Sequence, residues 1–180
     1  STVQPFLCMD SAGQTVGRIC AICNKRHLKF HKDGRGFFGF FEAFKDLDIA
    51  GALFRVASQW LKERGCTHIR GPANFSTNEE CGLLVDGFNS PPVFMMTYNP
   101  RYYIDLLENT GFSKVMDLYA YLGTMDRFPT RYERASKLLK RRYNATVRPL
   151  NFKRIKQELE LTFSIYNSSW ANNWGFIPMT

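Results

Sequence analysis

A long apolar run is missing. Nothing in the 180 residues approaches the ~20 consecutive apolar positions of a membrane-spanning helix. The opening STVQPFLCMD has no basic stretch leading into an apolar core, so no secretory leader is read there. A cysteine framework is missing too: five thiols, an odd number without regular spacing, fit a reducing compartment better than a disulfide scaffold. Together these absences predict a cytoplasmic location and no membrane partner. Low-complexity tracts and short repeats are also lacking, so the chain reads as ordinary globular sequence. Acids are scarce in one place. Between Arg127 and Lys156 eleven bases face one acid, Glu133, leaving 13 bases against 15 acids elsewhere. The formal charge of +8 therefore belongs to a single segment.

What is present suits one substantial core, at 44% hydrophobic and 22% charged residues. PFLCMDSAGQTVGRICAICN reads as two β-rich runs joined by a turn, and GRGFFGFFEAF as a third strand. In DLDIAGALFRVASQWLKERG, Ile49, Leu53, Val56, Trp60 and Leu61 recur at helical spacing after opening acids. A strand is expected over Cys66 to Arg70, another over PPVFMMTY, and a third over SKVMDLYAYLG. NPRYYIDLLENTGF reads as a helix with Pro100 near its first turn and Gly111 as its C-cap. Strands and helices in this order predict an α/β sandwich around a mixed sheet. After Gly123 a basic helix, RYERASKLLKRRY, and an amphipathic one, KRIKQELELTFSIYNSSW, are expected, with TVRPLNF between them as a linker or new strand. Trp170, Trp174 and Phe176 then follow with nothing beyond to cover them.

The polar stretch RGPANFSTNEECGLL raises the functional question. Ser76 and Glu79 have the S-x-x-E spacing of a capping box, which predicts a helix start after the strand. Asn74, Ser76, Asn78 and Glu79 either cap and solvate that start or face a ligand, since helix N-termini at strand ends hold ligands in open α/β sheets. Tyr98, Asn99, Tyr102 and Tyr103 bring hydroxyls and an amide to a second helix start. The eight either line one cleft, or the tyrosines bury their rings and wet their tips.

Cys20, Cys23, His27 and His31 are zinc-ligand types, but cysteines three apart on a strand point to opposite faces, and no metal is expected. His27 and His31, beside the loop before the third strand, are candidates for a polar pocket. Cys81 at the predicted helix start is either a low-pKa thiol or a buried structural one; no histidine near it in sequence supplies a base. The basic segment offers phosphate contacts. Its Tyr132, Ala135, Leu138 and Leu139 also form an apolar stripe, suited to packing as an interdomain helix. Weak, non-specific nucleic-acid binding is the most it predicts.

LLENTGF ahead of a tyrosine-containing strand, with GRICAICNKRHLKFH, GFFGFFEAF, GPANFSTNEECGLLVDGFNSPPVFMMTYNPRYY and NWGFIPM, resembles the GNAT acetyltransferase superfamily. More narrowly, these stretches are similar to an uncharacterised bacterial group built from two GNAT-like halves. The resemblance implies a GNAT-like mixed sheet flanked by helices, incomplete at its N-terminus. It divides the chain into a GNAT-like domain over 1–124, a basic linker helix over 125–144 and the start of a second GNAT-like half over 145–180, so the chain reads as a fragment. It also implies acyl transfer, with acetyl-CoA or another acyl-CoA as donor to the full-length protein and a small-molecule or peptide amine as acceptor.

Two positions depart from that pattern. Where the superfamily holds the CoA pyrophosphate with R/Q-x-x-G-x-G/A, this chain has Lys45-Asp46-Leu47-Asp48-Ile49-Ala50, whose acids repel a diphosphate. Where a tyrosine four residues before the GF glycine protonates the leaving thiolate, it has Leu107. No cofactor is therefore expected in this half, and no catalytic residue is assigned. The expected role is a degenerate half that forms one wall of a substrate cleft, completed by a second half or a second copy. The rival is a non-enzymatic nucleic-acid-binding module, and a third reading is an inert dimerisation domain.

Overall fold

The structure is a computed structural model, and it describes residues 1–123, 130–144 and 146–180. Arg127, most of the start of the expected linker and Ala145 lie outside the described residues. The chain divides into two compact units, Ser1–Met116 with Tyr166–Thr180, and Asp117–Ile165.

The first unit contains a mixed four-stranded sheet in the order β1-β2-β3-β4. Strands β1 (Thr2–Met9) and β2 (Thr15–Cys23) form an antiparallel hairpin, as read, and β3 (Arg35–Ala43) pairs antiparallel with β2. Strand β4 (His68–Arg70) joins β3 in parallel over Arg35–Phe37; it is shorter than expected because the Cys66 amide donates to Leu61 O rather than to β3.

A bulge organises β3. Arg18 pairs with Glu42 and Cys20 with Gly39, so Phe40 and Phe41 together oppose Ile19. Phe40 takes a left-handed φ of 50°, which resets the side-chain alternation. Phe38 and Phe41, three apart, consequently share the face carrying the main core with Ile19, Ala21 and Cys23. Ile22, Phe37 and Ala73 bury the other face.

Helix α2 (Leu47–Lys62) covers the main face with Ala50, Leu53, Phe54, Ala57, Trp60 and Leu61. Small Ala50 and Ala57 let the helix close onto the sheet. Val56, expected on this face, is exposed, because the buried stripe centres one position away. Helix α3 (Tyr102–Asn109) adds Tyr103, Leu106 and Leu107 to the same core, and Gly111 follows it with φ 95°.

Four local expectations change. A helix, α1 (Lys25–His31), replaces the loop before β3; the Asn24 side chain accepts from the amides of Arg26 and His27, and Lys32 ends the helix in the left-handed region. PPVFMMTY is turn and coil, with Phe94 exposed and Met95 at φ 63°, since Pro91 and Pro92 cannot donate to a ladder. SKVMDLYAYLG is not a strand, because no strand of the sheet pairs with it. Finally, no helix starts at Ser76: residues 73–82 are turns, closed by a single bridge between Ala73 and Cys81.

The end of the chain returns to the first unit. Phe176 and Ile177 are buried there, and Phe176 packs edge-on against Phe30 of α1. The expected lack of cover thus holds for Trp170 but not for Phe176.

In the second unit, α4 (Thr130–Tyr143) has no buried residue, so its Leu138 and Leu139 stripe is exposed rather than packed. A 3-10 turn (Phe152–Arg154) leads into α5 (Ile155–Trp170), which runs on into the first unit, and Arg148 pairs with the buried Glu158 at 2.9 Å. Five α-helices are present among the described residues, and none is long and apolar enough to cross a membrane.

Candidate functional site

The start of α2 is already occupied by the chain itself. The Asp46 carboxylate accepts from the amides of Asp48 and Ile49 at 2.8 and 3.3 Å, the very donors that a phosphate at this terminus would need. The residues at this helix start do not fit a diphosphate. Leu107 is buried in the main core, where it packs and donates no proton.

The polar turn after β4 follows the same logic. Strand pairing ends at the cis Gly71–Pro72 bond, and Ala73 then donates its amide to Phe38 O. Asn74 accepts from the Phe40 amide at 2.8 Å, satisfying the bulge, while its amide group donates to Glu80. Gly39 is required beneath this turn, since a Cβ there would lie 2.3 Å from Ala73 O. Ser76, buried, donates its hydroxyl to Glu79 and accepts from the Asn78 amide. The capping-box pair therefore meets, but within a turn. Asn78 donates to Ile177 O and accepts from the Tyr166 hydroxyl, and Thr77 donates to Gly175 O. These residues fasten the chain's end to the sheet.

The other four candidates sit elsewhere. Asn99 is buried; it accepts from the Leu84 amide and donates to Leu84 O and Pro100 O. The Tyr103 hydroxyl accepts from the Ala43 amide and the Tyr102 hydroxyl donates to Ala43 O, closing the end of β3. Burial raises the Tyr103 pKa, with the bond to Ala43 opposing it. Tyr98 is exposed.

His27 and His31 lie one turn apart on α1. His27 is fully buried, its Nε2 is 3.1 Å from Asp33, and its Nδ1 has no partner. Burial lowers its pKa more than Asp33 raises it, so the ring is neutral and Nε2–H donates to the carboxylate. Burial pushes Asp33 up, but the Arg35 amide and the neighbouring His27 and Arg35 outweigh it and hold its carboxyl below the ordinary value. Asp33 also pairs with the Arg35 guanidinium at 2.9 Å. His31 Nε2 donates to Phe176 O at 2.7 Å.

The cysteines are core residues. Cys20 and Cys23 face opposite sides of β2; Cys66, beside Cys23, is pushed up to about 11 by burial first and by that thiol second. Burial likewise raises Cys81, which has no helix terminus to lower it. Among the described residues no group of three or more His, Cys, Asp or Glu is placed to hold a metal.

One open cleft of about 980 Å³ borders β4, and none of the eight candidates lines it. Arg35, Arg55 and Arg70 contribute three guanidiniums; Phe54, Phe112 and Trp174 supply aromatic walls. Arg70 stacks over the Trp174 ring at 4.7 Å. No carboxylate lines the cleft, and only Arg35 of the three arginines pairs with an acid among the described residues. Sequence reasoning missed this site because its arginines come from β3, α2 and β4 and its tryptophan from the chain's end. The Arg70–Trp174 pair alone spans over a hundred residues and leaves no local spacing to read.

The chain matches no family model and no solved structure. Among curated proteins, Protein YghO of Escherichia coli (strain K12) is 37% identical over 171 residues, covering 94% of this chain and 43% of that protein. A protein named bacterial ceramide synthase, from Caulobacter vibrioides (strain NA1000 / CB15N), is 40% identical over 182 residues, 99% of this chain and 46% of that protein. The chain spans less than half the length of these curated relatives.

Proposed function

We propose that this chain is one part of a GNAT-like N-acyltransferase that joins an acyl group to a long-chain amine. The observation that carries the reading is the 40% identity over 99% of the chain to a protein named bacterial ceramide synthase, a ceramide being the amide of a long-chain amino alcohol. The mixed sheet under α2 and α3 is compatible with the GNAT-like reading. In the reaction the amine nitrogen bonds to the acyl carbon as the bond to the leaving group breaks, and the amine's proton departs to a base. This half forms a wall of the substrate cleft. Donor phosphates are not held at the α2 terminus, where Asp46 takes the amides; they belong with a second half or a second copy. The test supplies the full-length protein with a long-chain acyl-CoA and a long-chain 2-amino alcohol and looks for the N-acyl amide by mass spectrometry. Folded protein that forms no amide from any such pair overturns the reading.

A second reading rests on α4, whose residues are all exposed and whose last turn carries Lys140, Arg141 and Arg142. Such a helix suits nucleic-acid phosphates, in a binding-only protein. That reading requires binding that survives physiological salt, where the Debye length is ~8 Å, and that Lys140→Glu with Arg141→Glu abolishes. Binding that vanishes at that salt rejects it.

A further inference from the structure

The charge of the cleft beside β4 is left unbalanced. Asp33 serves both His27 and Arg35, while Arg55 and Arg70 have no salt-bridge partner among the described residues. Arg70 is half-buried, and burial first and the nearby Arg35 guanidinium second disfavour its charged form, outweighing the attraction of Asp33. Like charges held together at a partly desolvated site cost free energy that an anion would relieve. Guanidiniums suit an oxyanion particularly well, because their fork of N–H donors matches phosphate.

The rim of the cleft is apolar. Val115 lines it and is 57% exposed, and its neighbour Met116 is 45% exposed. Trp174 lies on the wall with its ring under Arg70. Cations beside a tryptophan and exposed aliphatics form the arrangement found where protein meets a bilayer surface, the cations level with phosphate and the ring at the acyl boundary.

We propose that this cleft binds the phosphate of an anionic phospholipid headgroup, with Arg55 and Arg70 on the phosphate and Trp174, Val115 and Met116 against the adjoining apolar region. The site stands independently of the acyl-transfer reading, and would serve it by holding the protein where a long-chain amine is dissolved. The expectation of no membrane partner rested on the lack of a spanning run, and headgroup capture at a surface needs no span.

The experiment floats the full-length protein with vesicles of phosphatidylcholine alone, or of phosphatidylcholine mixed with phosphatidylglycerol. Protein is expected on the anionic vesicles only. Neutralising Arg55 and Arg70 together (Arg55→Gln with Arg70→Gln) should weaken that binding roughly thirty-fold. Arg55→Gln alone, on an exposed helix position where folding is safe, should weaken it about five-fold. The charge-matched change on α4, Lys140→Gln with Arg141→Gln, should cost under about three-fold. Equal losses from the cleft and α4 pairs would mean general attraction to a basic protein and overturn the proposal, as would undiminished binding of the cleft variants. Glycerol 3-phosphate bound by the cleft while anionic vesicles are ignored would also overturn it, assigning the site to a soluble phosphate. None of these readouts measures acyl transfer, so failure here is separable from failure of the enzymatic reading.

Discussion

The turn over residues 73–82 and the cleft beside β4 both gather polar side chains around the same sheet, yet they have opposite accounts. In the turn, donors and acceptors meet inside the molecule: Asn74 serves the β3 bulge and Glu80, Ser76 serves Glu79 and Asn78, and Asn78 serves Ile177 and Tyr166. In the cleft, two of three guanidiniums make no salt bridge among the described residues. A saturated polar cluster is scaffold, whereas an unbalanced one has something left to bind. Density of polar residues in the sequence does not separate the two cases; only the partners do.

The comparison predicts where substitution should cost stability. The largest loss is expected at Asn99, the buried relative of the turn's asparagines. Asn99→Ala leaves the Leu84 amide and carbonyl without their side-chain partners, and should lower unfolding free energy by about 2–3 kcal/mol in denaturant titration. Next is Asn74→Ala, which orphans the Phe40 amide at the bulge and should cost about 1–2 kcal/mol because that site is only half-buried. An unchanged midpoint for both would break the distinction between scaffold and site.

The sequence carried much of the fold. Period-two runs with a turn between them marked the hairpin, and the 3.6-residue period marked α2, α4 and α5, since each pattern is a local consequence of one buried face. The predictions failed where geometry is set from a distance. The Ser76–Glu79 spacing is that of a capping box, yet Ala73 is held on Phe38 and Asn78 on Ile177, so tertiary bonds keep the segment in a turn. SKVMDLYAYLG has strand composition but no ladder partner in the four-stranded sheet. Helix α1 has a legible cap in Asn24, but its seven residues are too few turns for a helical period to show in the sequence. For the site, the candidates came from crowded polar stretches, which proved internally bonded; the arginines of the cleft are isolated in sequence.

A smaller effect is expected from buried His27 and its partly exposed partner Asp33. His27 has its folded pKa below the ordinary 6.5, so the unfolded chain takes up this proton first as pH falls. Its contribution is at full strength above about pH 6.5 and declines as pH falls from there through the lower folded value. Asp33, held below its ordinary 3.8, contributes above that value and loses its share at still lower pH, so both groups make acid destabilising. Denaturant midpoints taken from pH 7.5 to 5.5 should fall, and His27→Gln should flatten that slope while lowering stability throughout. A wild-type curve flat over this range would show that His27 is not held neutral.

The smallest effect tests the other side of the comparison. Arg70 has no salt bridge to lose, only a longer-range attraction to Asp33, and its main contact is its stacking over Trp174, about 0.5–1 kcal/mol for a partly exposed cation on a ring. Against that stands its repulsion from Arg35 and the desolvation of its own charge, which have the opposite sign. Arg70→Gln removes both, and so should leave stability within about 0.5 kcal/mol of the parent. The residual should shift with salt: screening weakens the Arg35–Arg70 repulsion, so the variant should compare more favourably at low ionic strength than at high. A loss as large as that of Asn99→Ala would place Arg70 among the scaffold residues, and the cleft would then be no more open to a ligand than the turn.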